Sequence, residues 1–383
     1  METVRASLSG GSPHVVFIYW GRRGLSRFLL DLTRTALTSD SISASVLVSR
    51  QNESFADISR FGEGVVPIDT FASNVGALLQ VWRVPFIRRQ LLQHIAKTRA
   101  EVVIELMPHV WSSFIAPAIK AAGVRYVAIA HDAISHPGDY RSNAVKAATR
   151  RTLRQADLIL TLSNTVAGRL NAMGLAPHSR IFPLFHPDLD FGGRQWREPP
   201  QPGKPLRLLF LGRIMAYKGL PLFLDVVDEL SRRGWLVEVG VFGEGYLGPS
   251  AKRLSAMGAE VINRRLTDAE IGAVLSRFHA VVLSYIEASQ SGVASAALGA
   301  GLPVIATPVG GIIEQVTDGV TGVLAKRVDC WALADAAEHL ASNPSQYRQI
   351  QQNIMALRED RSMARFVTEC VSLALSCNVS RVP

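Results

Sequence analysis

A chain of 383 residues, 48% hydrophobic and 19% charged, can bury a sizeable core, is long enough for two domains, and lies outside the composition of disordered chains. Its formal net charge of +9 is uneven: residues 1–195 hold 22 Lys and Arg against 14 Asp and Glu, and residues 196–383 hold 19 against 18. That excess favours an anionic partner, a membrane surface or a phosphate-bearing molecule, over nucleic acid, because the basic residues are scattered among apolar ones without aromatic stacking patterns. The three cysteines, Cys330, Cys370 and Cys377, have neither metal spacing nor a paired pattern and point to a reducing compartment. No stretch has the order of a signal peptide, and none approaches the roughly 20 apolar residues of a spanning helix, so a cytoplasmic protein is expected.

In chain order, an apolar run at 14–20 ends in Gly21-Arg22-Arg23-Gly24 and gives way to apolar residues at helical spacing over 25–36. This predicts a strand, a glycine turn and a helix. Further strands are predicted at 45–48, 101–106, 125–130, 158–161 and 180–184, with helical patterns between most of them. Such alternation argues for parallel strands joined by crossover helices in a doubly wound α/β domain.

Residues 82–99 predict a helix opening at Pro85, with Ile87, Leu91, Leu92, Ile95 and Ala96 on one side. Arg89, Gln90, Gln93, His94 and Lys97 take the other. A crossover helix with a solvated basic face accounts for this pattern. So does a face resting on anionic headgroups, since Trp82 and Phe86 fall near the basic side; Trp82, Arg83, Arg88, Arg89 and Lys97 are then the membrane-contact candidates.

The predicted strand 125–130 runs into His131-Asp132-Ala133-Ile134-Ser135-His136, polar residues at the carboxyl end of a parallel strand, where such sheets bind ligands. A surface loop with a capping Asp is the other reading. Residues 186–206 contain five of the nineteen prolines and read as a linker. Asp188-Leu189-Asp190 within it has the Asp-x-Asp spacing of a metal site, but a linker beside a proline is a poor metal cage, and no metal is expected.

Strands are predicted again near 206–211, 236–241, 259–262, 279–283, 302–306 and 321–324, with helical segments at 329–341, 344–357 and 362–375. The run 279–283 ends in Glu287-Ala288-Ser289-Gln290-Ser291-Gly292-Val293, and helix-compatible small residues follow. A helix start leaves N–H groups unpaired, so Ser291, Gly292 and Val293 offer main-chain donors to an anion. Arg213 and Lys218 sit where the 206–211 strand gives way to a helix, on the same carboxyl edge. Two cations and a helix N-terminus suit a diphosphate without a metal. Glu287 puts a carboxylate on the same edge, where it can accept hydrogen bonds from a ligand or complement the helix dipole.

Gly-Arg-Ile-Met-Ala-Tyr-Lys-Gly-Leu at 212–220, Val-Phe-Gly-Glu-Gly at 241–245, the 287–293 stretch, Gly-Leu-Pro-Val-Ile-Ala-Thr at 301–307 and Gly310-Gly311 together resemble the donor-binding half of family 4 glycosyltransferases. The resembled subgroup carries Glu-Ala-Ser-Gln-Ser-Gly, and the likeness runs more weakly through the first half. It implies a GT-B fold of two Rossmann-like domains facing across a cleft. An acceptor-binding domain would span 1–190, a linker 191–205, a nucleotide-sugar-binding domain 206–360, and a helix returning to the first domain 361–383.

The implied activity is retaining, metal-independent transfer from a nucleotide-diphosphate sugar to a polyprenyl-linked oligosaccharide or other surface-glycan precursor, with no cofactor and peripheral contact at the inner face of the plasma membrane. A soluble small acceptor, or a non-catalytic sugar-nucleotide-binding protein, is the alternative. The resemblance places His131 near the donor sugar, with Asp132 and His136 orienting it or meeting the acceptor, and Glu287, Arg213 and Lys218 at the chemistry. Donor contacts would come from Gly24, Gly212, Gly243, Gly245, Ser289, Gln290, Ser291, Gly292, Val293, Gly311 and Glu314. Whether Arg22 or Arg23 reaches phosphate is left open. Many members carry a second Glu on the helix, for the ribose; here Ser295 and Ala296 stand there, which leaves ribose recognition, the base and the sugar open.

Overall fold

The structure, a computed structural model, describes residues 12–133, 142–192 and 195–376; His136 and Cys377 lie outside them. The expected alternation produces two parallel sheets. β1 (His14–Tyr19), β2 (Ser43–Ser49), β3 (Val65–Ile68), β4 (Val102–Glu105), β5 (Arg125–Ala130), β6 (Leu158–Thr161) and β7 (Ile181–Pro183) form the first, in the order β3-β2-β1-β4-β5-β6-β7. β8 (Leu206–Leu211), β9 (Val237–Phe242), β10 (Glu260–Ile262), β11 (Ala280–Leu283), β12 (Val304–Ala306) and β13 (Gly322–Leu324) form the second, in the order β10-β9-β8-β11-β12-β13. Strand order reverses between β1 and β4 and again between β8 and β11. Crevices at such reversals are where open α/β sheets take ligands.

β3 is the strand that the sequence pattern missed. It has four residues of which only Ile68 is buried, and Pro67, which lacks an N–H, fits an edge position. The alternation along β1 divides the first domain's core into two layers. Val16 and Ile18 pack with the helices Val84–Thr98, Ser112–Ala121 and Asn143–Gln155 on one face. Val15, Phe17 and Tyr19 pack on the other face with the helices Ser26–Leu37 and Met363–Ser376. The last described helix of the chain therefore completes the core of the first sheet, its Phe366 ring meeting Phe28 edge-on at 5.4 Å.

Among the described residues the chain crosses between the domains twice, and the crossings are tied together. The Asp188 carboxylate pairs with Arg361 at 3.0 Å, and the Asp188 N–H donates to the Arg361 carbonyl at 2.8 Å. Asp190 accepts from the Gly192 N–H, so the Asp-x-Asp spacing serves the linker's own geometry. On the helix Val84–Thr98 the buried stripe is Val84, Ile87, Leu91 and Ile95. Ala96, expected on that side, is exposed, because one residue past Ile95 is a rotation of about 100° off the stripe. Among the described residues no helix is long and apolar enough to cross a membrane.

Candidate active site

The loop after β8 is built by close backbone approaches. A Cβ on Gly243 would lie 1.9 Å from the Gly212 carbonyl oxygen, and one on Gly245 would lie 2.4 Å from that of Ile214. The Gly212 N–H donates to Phe242 O at 2.9 Å and the Ile214 N–H to Glu244 O at 2.8 Å. These glycines therefore let the β8 and β9 loops touch. Gly219, at φ 67°, would place a Cβ 2.0 Å from the Ser284 carbonyl, and the Ser284 hydroxyl lies within bonding distance of the Lys218 and Gly219 carbonyls. The loop is thereby pinned to the end of β11.

That pinning buries Lys218. Its Nζ donates to the Tyr285 hydroxyl and sits 4.5 Å from the centre of that ring. Burial lowers its pKa to about 8, Tyr217 opposing the shift and Arg213 adding to it. Arg213 is exposed. Among the described residues neither cation forms an ion pair, so no salt bridge takes up either positive charge at the β8–β11 reversal.

The segment after β11 supplies fewer open amides than the sequence suggested. The Ser291 hydroxyl caps the helix Gly292–Gly299 by accepting from the Ala294 N–H at 3.2 Å, and lies 3.1 Å from the Tyr285 hydroxyl. The Ser291 N–H is taken by Gln315 Oε1 at 2.6 Å, and Gln315 Nε2 returns a bond to the Ser291 carbonyl at 3.2 Å. Among the described residues the main-chain donors left without a partner at this helix start are those of Gly292 and Val293. Gln290 Oε1 is buried without a partner among the described residues.

Three more expectations change. Ser289 is fully buried, and its carbonyl accepts from Ser163 Oγ of the first domain at 2.9 Å; its side chain is walled off from a ligand. Gly311 lies against it, a Cβ there falling 1.9 Å from Ser289 O, so its role is packing. The Glu314 carboxylate, expected at the donor, accepts from the N–H groups of Asn164 and Thr165 at 2.6 and 2.8 Å and from both side chains. It complements a helix N-terminus belonging to the other domain. Ser295, the position at which the sequence resemblance would put a second Glu, is also fully buried, 2.7 Å from the His186 ring and 3.2 Å from Gln315 Nε2. Ribose recognition cannot come from that side chain while it is sealed there.

Glu287 does lie at the seam between the domains, where Arg169 Nη1 donates to its Oε1 at 3.1 Å. His131, at the end of β5, is buried, with Nε2 2.8 Å from the Leu106 carbonyl and its ring 6.1 Å from that of Phe28. Asp132, the next residue, is close enough to Tyr217 of the second domain to raise its pKa, although burial is the larger cause of that shift. The residues after β5 and after β8 thus meet across the seam. Gly24, after β1, is at φ 83° and donates its N–H to Glu53 Oε1 at 3.2 Å. Glu53 is paired in turn with Arg265 of the second domain. Arg22 is turned away, onto the Ala72 carbonyl and the face of Phe71.

The sequence assigned no role to Arg169, Tyr217, Tyr285 or Gln315, although Tyr217 lies within the 212–220 motif. Each makes a contact with a residue distant in the chain, which no local spacing marks. Among the described residues no group of three or more His, Cys, Asp or Glu side chains could hold a metal.

Comparison with known proteins fits this arrangement. Among curated proteins, the alpha-D-kanosaminyltransferase of Streptomyces kanamyceticus is 25% identical over 227 residues, 55% of this chain and 58% of that one. A putative colanic acid biosynthesis glycosyltransferase, WcaL, of Salmonella typhimurium is 27% identical over 201 residues, 48% of each. The chain spans about half the length of the curated relatives it matches. Among solved structures, Anabaena Alr3699/HepE in complex with UDP superposes with a TM-score of 0.69 at 15% identity, covering 94% of this chain and 99% of that one. A glycosyltransferase from Rickettsia africae reaches 0.71 at 13% identity, covering 96% and 100%; these likenesses show the fold. Residues 22–184 match the model described as Glycosyltransferase Family 4, and residues 205–343 match that described as Glycosyl transferases group 1. With one model on each sheet and most of the chain between them, the chain belongs to the family 4, group 1 glycosyltransferases.

Proposed function

We propose that the protein transfers a sugar, with retention of configuration, from a nucleotide-diphosphate sugar to a lipid-linked oligosaccharide or other surface-glycan precursor. The observation that carries this reading is the pair of cations Arg213 and Lys218, in no ion pair among the described residues, beside the amides of Gly292 and Val293, which have no partner among them. Transfer breaks the bond between the anomeric carbon and the diphosphate oxygen, and the electron pair leaves with the diphosphate. Cations and amides already in place stabilise that charge without reorganising, and without calling on a metal. The acceptor hydroxyl attacks on the same face, and its proton passes to the released diphosphate. Glu287 accepts from the sugar hydroxyls and offsets positive charge at the anomeric carbon, while His131 and Asp132 line the facing wall.

Incubation with a panel of nucleotide sugars and glycan-lipid acceptors is expected to release nucleoside diphosphate, and to do so equally with a chelator present. The productive donor should raise the melting temperature, because it binds only the folded state. Tight donor binding with no release under any acceptor would instead identify a non-catalytic binding protein. Turnover abolished by chelator would remove the metal-independent leaving-group site.

The lipid-linked acceptor is supported by one face of the first domain. Leu79, Trp82 and Phe86 are 71%, 60% and 66% exposed, a density of large apolar groups that marks interaction surfaces. The helices Val84–Thr98 and Asn143–Gln155 carry seven Lys and Arg between them and no Asp or Glu. Both lie on the same face of the sheet as the helix between them, which exposes Phe114 with Arg151 over its ring. Arg83, a sequence candidate, is half-buried and donates to the Thr70 carbonyl at 3.1 Å, so its task is structural. A protein in this orientation would dock on the cytoplasmic leaflet. Co-sedimentation with anionic vesicles at low salt is expected, falling with added salt. At about 1 kcal/mol per cation, changing Arg88, Arg89 and Lys97 to Ser weakens partitioning on the order of a hundredfold. Wild-type protein left in the supernatant at low salt would transfer the proposal to a soluble acceptor.

A further inference from the structure

The helix Asn164–Ala172 of the first domain, with its N-cap Ser163, touches the second domain at three points, two of them on the 287–293 segment. At its N-cap, Ser163 Oγ donates to the Ser289 carbonyl at 2.9 Å and accepts from the Val166 N–H at 3.2 Å. The Glu314 carboxylate covers the next two N–H groups, those of Asn164 and Thr165. Farther along, Arg169 reaches Glu287. The backbone around Glu287 is fixed within its own domain: the Ile286 N–H donates to Tyr217 O at 2.8 Å, Thr307 Oγ1 to Tyr285 O at 2.6 Å, and the Gly311 N–H to Ala288 O at 3.2 Å. The second domain thus presents Glu287 at a set place, and a residue of the first domain reaches its carboxylate.

We infer that Arg169 is a positioning residue: docking of the 164–172 helix aims the Glu287 carboxylate at the donor sugar, so the acceptor-side domain completes the donor site. This rests on the reading of Glu287 as the sugar-facing carboxylate. The pair is unsuited to a purely stabilising role. Its side chains are 31% and 35% exposed, and ion pairs that open to water add little to stability. What it provides is direction, since a carboxylate must be held in one orientation before it can serve in a transition state. The serine and carboxylate contacts at the start of the helix hold Arg169 at that station. Docking of the helix and assembly of the sugar site are then one event.

The test is a double-mutant cycle on turnover, with affinities for donor and bare nucleoside diphosphate measured alongside. Arg169→Ala is expected to lower kcat roughly ten- to hundredfold while leaving affinity for the bare nucleoside diphosphate unchanged. Arg169→Lys should recover part of the loss, because it keeps the charge and loses the guanidinium fork. In a Glu287→Gln background, Arg169→Ala should cause little further fall, since both substitutions remove one function. Three results overturn the inference: normal turnover of Arg169→Ala, the same fold-loss in the Glu287→Gln background as in wild type, or weakened binding of bare nucleoside diphosphate. Normal turnover of Glu287→Gln alone is a different pattern, which overturns the donor-site reading of Glu287 and this inference with it.

Discussion

Arg213→Ala and Lys218→Ala should each fold normally and lower transfer by about 10²–10³-fold, the scale set by removing one preorganised donor from a site of developing charge. Arg213 is exposed and without a partner among the described residues, so truncating it disturbs little but the site. Lys218 is buried against Tyr217 and Tyr285, and its loss also relieves an unpaired buried charge. A charge-assisted hydrogen bond contributes about 1.5–3 kcal/mol, enough to account for most of that fall at each position. The loss should appear in kcat, because the full charge on the diphosphate develops as the bond breaks. Near-normal turnover in both variants would remove the proposed leaving-group site.

The same lysine sets a pH limit. Its pKa is lowered to about 8, burial being the first cause, so in the free enzyme it is cationic below that pH and loses its charge as pH rises through it. kcat/KM, which reports the free enzyme, is expected to fall above about pH 8. An ordinary lysine would hold its charge to roughly pH 10. Bound diphosphate favours the charged form and moves the limit upward, so kcat should persist to higher pH than kcat/KM. A kcat/KM profile flat to pH 9.5 would contradict the assignment of Lys218 to phosphate.

Glu287→Gln should lower kcat by about 10²-fold or more while weakening bare nucleoside diphosphate binding much less. The substitution preserves the size of the side chain but replaces an anion with a neutral amide, removing both the strong acceptor for the sugar hydroxyls and the negative charge near the anomeric carbon. The bare nucleoside diphosphate has no sugar in that subsite, so its affinity isolates the contribution of Arg213, Lys218 and the helix start. Equal losses for nucleotide sugar and bare nucleotide would place Glu287 at the phosphates or in the scaffold. The expected difference between the two losses also sets the reference for the cycle with Arg169.

Much of the fold was legible because parallel α/β architecture is written locally. Apolar runs four to six residues long, separated by helical periodicity, identify strands and crossovers whatever the final contacts are. Among the described residues twelve of the thirteen strands stand in such runs; β3, half-exposed and carrying a proline, does not. The carboxyl-edge placement of Arg213, Lys218, His131 and Glu287 was legible for the same reason, since a residue just past a parallel strand must lie on that edge. The basic stripe of the 84–98 helix followed from spacing alone, apart from the exposed Ala96, the half-buried His94 bonded to Ser45 and, just before the helix, the inward turn of Arg83.

What the sequence by itself determined, then, is which residues reach the rims of the two sheets. Which of them remain available to a ligand was decided by tertiary structure. Ser291 keeps its capping hydroxyl but gives up its N–H to Gln315, 24 residues away. Ser289 and Glu314 are spent on Ser163, Asn164 and Thr165 across the domain seam, and Ser295 is sealed by His186. The physical reason is that a buried donor or acceptor must find a partner wherever the fold brings one. Local sequence states what a group can bond to, and only the packed chain states what has already bonded to it.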